Sequence, residues 1–368
     1  MSQNATPRAV SKLSSSLQAA LSSPLLWPLN DVAALDDVLS WIDPALAVAT
    51  TKARVVEIID ETADTKTFVL APNRHWNGHV AGQHVQVQVE IAGVRTQRTY
   101  TVSSAPRDGN LAITVKRQGK VSTHLHERLK VGDVLTLGAA TGEFVLPRVL
   151  PQKILMISAG SGITPVMSML RELAARQYDG HIEFVHACRR PEDAIFGAEL
   201  TRLAAFMPNL KLRFHHSATS GRLTAQQIAK GVPDYAARLA LLCGPDGFMQ
   251  DVREFWAAQG LADSLRCEHF NGAMLLRRAA SPGAQVQVAC AKSEQMFDSA
   301  GISTLLDEAE GAGLKPKHGC RIGVCHSCKC KKVSGTVENL LTGQISSEPN
   351  EMIQLCVSAA RSDVTLDL

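Results

Sequence analysis

The chain has 368 residues, 45% of them apolar and 20% charged, with a formal net charge of +3. That composition excludes a disordered chain and leaves room for two or three globular domains. The net charge is too small to make nucleic acid or a membrane surface the main partner. Nine cysteines in a chain without an export signal point to metal or redox chemistry in the reducing cytoplasm rather than to disulfides.

Residues 1–50 form an N-terminal extension without a strong period, and their apolar runs are too short and too broken by Ser and Pro for a signal peptide or a membrane-spanning helix. An apolar group around Trp27, Leu35, Leu39 and Trp41 predicts a short helical collar packed on the next domain, with no chemistry of its own. Over residues 51–150 the runs ARVVEII, KTFVLA, QHVQVQVEI, LAITVKR and DVLTLG alternate apolar and polar residues between Gly, Asn, Asp and Pro, which predicts an antiparallel β-barrel. Within it, RTYTVSS puts Arg98 and Tyr100 on one face, flanked by Thr99 and Thr101. An arginine for phosphate beside an aromatic ring is what a flavin requires. Further on, VKRQGKVSTHLHERL sets Lys116 at a strand end and Gly119, Val121, Ser122 and Thr123 at the start of a helix, an anion site at a helix N-terminus. His124 and His126 are read as structural or exposed.

Residues 151–275 change pattern: the strands KILMIS, IEFVHA, LKLRFHH and RLALLCG alternate with helical stretches such as TPVMSMLRELAAR, an α/β domain with a parallel sheet. In AGSGITP, Gly160, Ser161, Gly162 and Thr164 lie between a buried strand and a helix with Pro165 in its first turn, where a pyrophosphate can approach backbone N–H groups. Cys243, Gly244 and Pro245 follow another strand, where the C-terminal end of a parallel strand faces the ligand crevice. Cys243 has no base near it in sequence, which favours a small residue beside the nicotinamide over a nucleophile. Arg189 and Arg190 are either a site for an adenosine 2′-phosphate, favouring NADPH over NADH, or two solvated arginines in a turn.

A linker, 276–283, precedes a small domain of short strands and one helix over 284–368, whose run HGCRIGVCHSCKC spaces Cys320, Cys325 and Cys328 as C-x4-C-x2-C, with Cys356 later in QLCVS. This is the spacing of a plant-type 2Fe-2S ferredoxin, in which soft thiolates hold iron inside a tight loop. A structural zinc site is the alternative, but it ordinarily shows two paired C-x2-C arms or Cys/His pairs. Cys330 is read as a spare thiol. Lys315, Lys317, Arg321, Lys329, Lys331 and Lys332 have no acidic residue among them and form either a solvated face or a docking patch for an acidic acceptor.

Taken in this order, RTYT, GKVST, GSGITP, CGP and the C-x4-C-x2-C run resemble the ferredoxin-NADP reductase superfamily, in the branch with a C-terminal ferredoxin domain typified by phthalate dioxygenase reductase and phenylacetyl-CoA epoxidase reductase. The resemblance covers about Arg54 to Leu368. It implies a multidomain chain: an antiparallel β-barrel flavin domain, an α/β parallel-sheet nucleotide domain and an α+β, β-grasp-like ferredoxin domain. It also implies a flavin on Arg98, Tyr100, Thr101, Gly119, Val121 and Ser122; the pyrophosphate-type loop favours FAD, whereas the phthalate dioxygenase branch uses FMN. NADPH or NADH is then expected on Gly160, Gly162, Thr164, Cys243, Gly244 and Pro245, and Glu268 and Phe270 near the flavin. Thr101 and Cys243 are the candidates for tuning flavin or hydride geometry. The function implied is electron transfer from NAD(P)H through FAD and a 2Fe-2S cluster to a partner. CHSCKC, the basic run, NLLTG and the N-terminal extension look most like the electron-transfer partners of membrane acyl-CoA desaturases, with ring-hydroxylating or steroid oxygenases and hybrid-cluster proteins as alternatives. A direct small-molecule reductase and a non-enzymatic redox sensor are the rivals, and the nucleotide and flavin loops argue against the sensor.

Overall fold

The computed structural model describes residues 32–91, 94–270, 285–318, 323, 327–340 and 343–368. Strands β1 (Thr51–Thr62), β2 (Thr65–Pro72), β3 (His84–Ile91), β4 (Val94–Thr101), β5 (Leu111–Lys116) and β6 (Val134–Leu137) form an antiparallel sheet in the order β4-β3-β6-β1-β2-β5. A bridge between Val102 and Ile113 joins its two ends into a barrel. The alternating apolar residues drive this closure: Val55, Phe68, Val85, Val87 and Ile113 fill one core, and one face of each strand is thereby taken from water.

Helix α1 (Val32–Ile42) precedes the barrel. Of the expected apolar collar, Leu35 and Leu39 are half-buried, whereas Trp41 is 85% exposed, as is its neighbour Ile42 at 76%. Polar contacts attach the segment instead: Asp36 accepts from Val48 N–H and Thr50 Oγ1, and Asp43 pairs with Arg54 of β1. Trp27 lies outside the described residues.

Helix α2 (Lys120–Arg128) caps one end of the barrel, and His126 Nε2 lies 2.7 Å from the Val115 carbonyl, a structural role. Strands β7 (Lys153–Ala159), β8 (His181–Cys188), β9 (Leu210–His216), β10 (Leu239–Cys243) and β11 (Leu265–Glu268) then build a parallel sheet in the order β11-β10-β7-β8-β9. Chain order reverses between β7 and β10, and this switch point opens a crevice at the strands' C-terminal ends.

Helix α3 (Ile163–Ala175) follows β7 and is buried on nearly every side, as a helix clamped between two layers must be. One side packs on the parallel sheet. The other meets the barrel, where Ser168 Oγ donates to the Ser104 carbonyl (2.8 Å) and Arg171 donates to the Ser103 carbonyl (2.5 Å). Arg171 is in turn held by both carboxylate oxygens of Glu199 in helix α4 (Gly197–Phe206). Helices α5 (Ala225–Gly231) and α6 (Asp246–Ala258) cover the opposite face of the sheet around the fully buried Trp256.

The C-terminal unit is a five-stranded mixed sheet, β13-β12-β19-β14-β17, with a small sheet β16-β15-β18. Its strands are β12 (Val286–Cys290), β13 (Gln295–Ser299), β14 (Lys329–Ser334), β15 (Val337–Asn339), β16 (Ile345–Ser346), β17 (Glu351–Gln354), β18 (Ser358–Ala360) and β19 (Val364–Leu366). Helix α7 (Leu305–Gly311), capped by Thr304 accepting from Asp307 N–H, packs Leu305, Leu306 and Ala309 into its core. The linker 276–283 lies outside the described residues. Among the described residues no helix is long and apolar enough to cross a membrane.

Candidate functional site

A cleft of about 920 Å³ opens where the three units meet. The barrel contributes Arg98, Thr99, Tyr100 and Thr101 from β4, Lys116 from β5, and Gly119, Val121 and Ser122 from the start of α2. The α/β unit contributes Ser161, Thr164, Glu268 and Phe270, and the ferredoxin-like unit contributes Gly323.

Each polar group sits there for a local reason. Ser122 Oγ accepts from the N–H groups of Gln118 and Gly119 and donates to the Gly119 carbonyl, which fixes the turn into α2. The first helical bond runs from Thr123 N–H to the Gly119 carbonyl, so the amides of Lys120, Val121 and Ser122 lie ahead of the helical ladder, an arrangement that favours an anion. Arg98 is exposed at the mouth, while Lys116 is paired with Asp64 at 3.0 Å. Burial pushes the Tyr100 phenol up to about 12, opposed by the nearby Arg98 charge, so the ring stays neutral. Thr99 Oγ1 is buried with no hydrogen-bond partner among the described residues. An orphaned hydroxyl, a cationic mouth and a helix N-terminus lining one elongated cleft fit a flavin nucleotide.

His84 and Glu268 add a contact that local sequence does not reveal. His84 Nδ1 lies 3.3 Å from Glu268 Oε1, joining β3 of the barrel to the end of β11, and the two side chains are only 7% and 12% exposed. The remaining atoms, His84 Nε2 and Glu268 Oε2, have no partner among the described residues. Burial raises the Glu268 carboxyl above its ordinary range, while the His84 hydrogen bond and charge oppose that rise. Because the folded state keeps this proton to higher pH than the unfolded chain does, the associated stability is complete below the ordinary carboxylate value and is lost as pH rises through the raised one. Glu268→Gln should therefore match the parent in denaturation experiments near about pH 4 and become the more stable of the two toward about pH 7. A constant difference across that range would show that Glu268 titrates normally.

Other expected residues stand apart from the cleft wall. Gly160 and Gly162 lie in the turn entering α3, and an ideal Cβ on Gly162 would fall 2.4 Å from the Cys243 carbonyl oxygen, so the two crevice loops touch backbone to backbone. The Cys243 thiol does not face the crevice as expected. Strand alternation turns it with Leu241 into the core under α3, where burial raises its pKa well above the ordinary thiol value. Pro245 is exposed, Gly244 partly so, and Thr123 is half-buried behind Ser122. Arg189 and Arg190 are exposed after β8, with Arg190 3.8 Å from Glu192.

In the C-terminal unit, Cys328 and Cys356 are each 2% exposed and share one apolar cluster, and Leu355 N–H donates to the Cys328 carbonyl (3.1 Å). Cys320 and Cys325 lie outside the described residues. Two buried thiols brought together from chain positions 28 residues apart, with the other two in the adjoining segment, fit a cluster held by soft sulfur donors. Cys330 points into the same core from β14, and burial pushes its thiol up to about 11. The basic patch is smaller than expected. Lys332 is fully buried, with Nζ donating to the Ser346 carbonyl (2.9 Å) and lying 3.3 Å from Glu351, whereas Lys315, Lys317, Lys329 and Lys331 remain exposed. Arg321 is outside the described residues.

Comparison with known proteins agrees with this architecture. Residues 52–146 match the oxidoreductase FAD-binding domain, 156–254 the oxidoreductase NAD-binding domain, and 288–361 the 2Fe-2S iron-sulfur cluster binding domain. An NADPH oxidoreductase of Mycobacterium tuberculosis is 35% identical over 340 residues, spanning 90% of this chain and 88% of that protein. The glycine betaine monooxygenase reductase subunit of Chromohalobacter salexigens is 31% identical over 346 residues, spanning 85% and 94%. The solved structure of phthalate dioxygenase reductase has the same fold, with a TM-score of 0.59 and 22% identity over 86% of this chain and 97% of that one. The chain is thus an oxidoreductase with FAD-binding, NAD-binding and 2Fe-2S domains, and it belongs to the ferredoxin-NADP reductase superfamily, in the branch that ends in a ferredoxin domain.

Proposed function

We propose that this protein is the reductase component of an iron oxygenase or desaturase system, drawing on NADPH and delivering electrons singly to its partner. The observation that carries the reading is a cleft lined by the barrel and the α/β unit, with Gly323, from between Cys320 and Cys325, among the described residues that line it beside those assigned here to the flavin. FAD held there would supply the conversion of a two-electron hydride into single electrons, which a single-electron iron acceptor requires.

The residues of the chain hold, orient and exclude. Arg98 and the amides at the start of α2 neutralise phosphate, Thr99 supplies a hydroxyl otherwise without a partner, and Tyr100 and Phe270 supply aromatic surface. Thr101, 6% exposed, lies beside them at the end of β4. The touching loops Gly160–Gly162 and Cys243–Pro245 hold the nicotinamide nucleotide, with Gly162 permitting close approach and Cys243 acting through its backbone. Arg189 and Arg190, exposed after β8, receive the 2′-phosphate. Cys320, Cys325, Cys328 and Cys356 hold the cluster. The domains run over 51–150, 151–275 and 284–368. Relatives named as monooxygenase reductases support an oxygenase as acceptor, and the resemblance of CHSCKC and NLLTG supports a membrane acyl-CoA desaturase as the narrower choice.

Anaerobic titration with NADPH and then NADH, followed by visible absorption and electron paramagnetic resonance, tests the reading. Flavin bleaching followed by a reduced 2Fe-2S signal is expected, faster with NADPH. A fully loaded protein giving neither response would sink it. Since Lys329 and Lys331 project from β14 beside Cys328, reduction of an acidic acceptor should slow as salt rises from about 0.05 to 0.5 M. A flat ionic-strength profile would remove the lysines from docking.

A further inference from the structure

Gly323, at the flavin cleft, accepts a hydrogen bond from a distant side chain. Gln354 Nε2 donates to the Gly323 carbonyl at 2.6 Å, across 31 residues of sequence. Gly323 has φ of +81°, a left-handed conformation that suits glycine and turns its carbonyl away from the regular path of the chain. Gln354 is the last residue of β17, an edge strand whose register places it opposite Lys329, next to Cys328. On its other side the chain runs through Leu355, whose N–H donates to the Cys328 carbonyl, into Cys356.

We infer that Gln354 is a positioning residue for electron transfer: its amide ties Gly323, which lines the flavin cleft, to the strand that leads into Cys356, and so sets how Gly323 stands at that cleft. The inference deepens the electron-transfer reading and rests on it. A main-chain carbonyl accepting from a neutral amide restrains the loop without adding charge beside the cluster, so Gln354 governs the rate of the transfer and leaves its driving force alone. Its hydrogen bond to Gly323 involves neither the nicotinamide loops nor the start of α2, so hydride transfer should proceed without it.

The test uses the full holoprotein. Gln354→Met keeps the length of the side chain and removes the donor. After reduction by NADPH in stopped flow, flavin bleaching should keep the parent rate. The later bleaching of the cluster should slow roughly tenfold, since misplacement by about 1 Å at a reacting centre costs up to about a hundredfold. Iron and sulfide content and the cluster's midpoint potential should be unchanged. Full cluster content with the parent rate of cluster reduction overturns the inference. If Gln354→Met fails to retain its cluster, Gln354→Leu, which likewise removes the donor without adding charge, carries the same test. Loss of the cluster in both variants makes Gln354 a residue of cluster retention and also overturns the inference. A parent protein whose flavin bleaches without any cluster reduction would instead break the electron-transfer reading itself, a separate and distinguishable failure.

Discussion

Cys356→Ser should abolish electron delivery to a protein acceptor while NADPH-driven reduction of a small dye continues at close to the parent rate. The expected loss exceeds about a hundredfold, because even groups that merely orient metal ligands change affinity by about 10–100-fold when altered. Serine replaces a soft thiolate with a hard hydroxyl that stays protonated at neutral pH, a poor donor for iron. Cys356 lies in a short 3-10 turn, Leu355–Val357, and is 2% exposed, so no water or neighbouring chain can substitute for it at low cost. The barrel and the parallel sheet have cores of their own, which is why the dye reaction should survive. Iron content, the reduced 2Fe-2S resonance and the two activities should be measured together. Loss of both activities would trace the defect to folding or flavin retention, and survival of both would show that the cluster is not on the path.

The three-part architecture was legible because each unit carries a different period. Alternation over residues 51–150 and strand-helix alternation over 151–275 are local signals, and both units form as those patterns require. The contiguous runs RTYT and GKVST likewise reach one cleft, since a single strand and a single helix start carry them there. What escaped reading depends on register or on contacts between units. His84 and Glu268 are 184 residues apart and meet only because the barrel packs on α3 beside the end of β11. The place of Gly323 in the flavin cleft was not legible either.

Strand phase alone settles where two side chains point. In RLALLC, Cys243 is in phase with Leu241, and strand alternation alone turns both toward the core under α3. In KCKKVS, Lys332 is in phase with Cys330 and therefore points inward. A charged side chain there argues for exposure unless a partner waits, and Glu351 with Ser346 supplies it. Trp41 is a case of another kind. Helix α1 has apolar residues enough to suggest burial, but among the described residues the polar attachments are made by Asp36, to Val48 and Thr50, and by Asp43, just after the helix, to Arg54, while Trp41 stands in solvent.

Gly162→Ala should damage nucleotide use far more than Gly160→Ala, although the two glycines are neighbours in one motif. Gly160 has φ of +53° with nothing within 4 Å of an added Cβ, so its cost is conformational, about 1–2 kcal/mol. Gly162 has ordinary helical dihedrals, φ −64° and ψ −5°, and carries no backbone strain. Its added Cβ would instead lie 2.4 Å from the Cys243 oxygen, 2.5 Å from its carbonyl carbon and 2.6 Å from the Gly244 nitrogen. All three are main-chain atoms at the end of a central strand, with no rotamer to change. The loops must separate, at an overpacking cost of about 1–3 kcal/mol. If the crevice opens by about 1 Å, the catalytic penalty reaches about a hundredfold. Denaturation curves and the kcat/KM for NADPH in dye reduction should therefore diverge: Gly160→Ala loses stability with modest kinetic change, and Gly162→Ala loses both. Equal kinetic losses would mean that loop conformation, rather than the contact between the two loops, sets the nucleotide site.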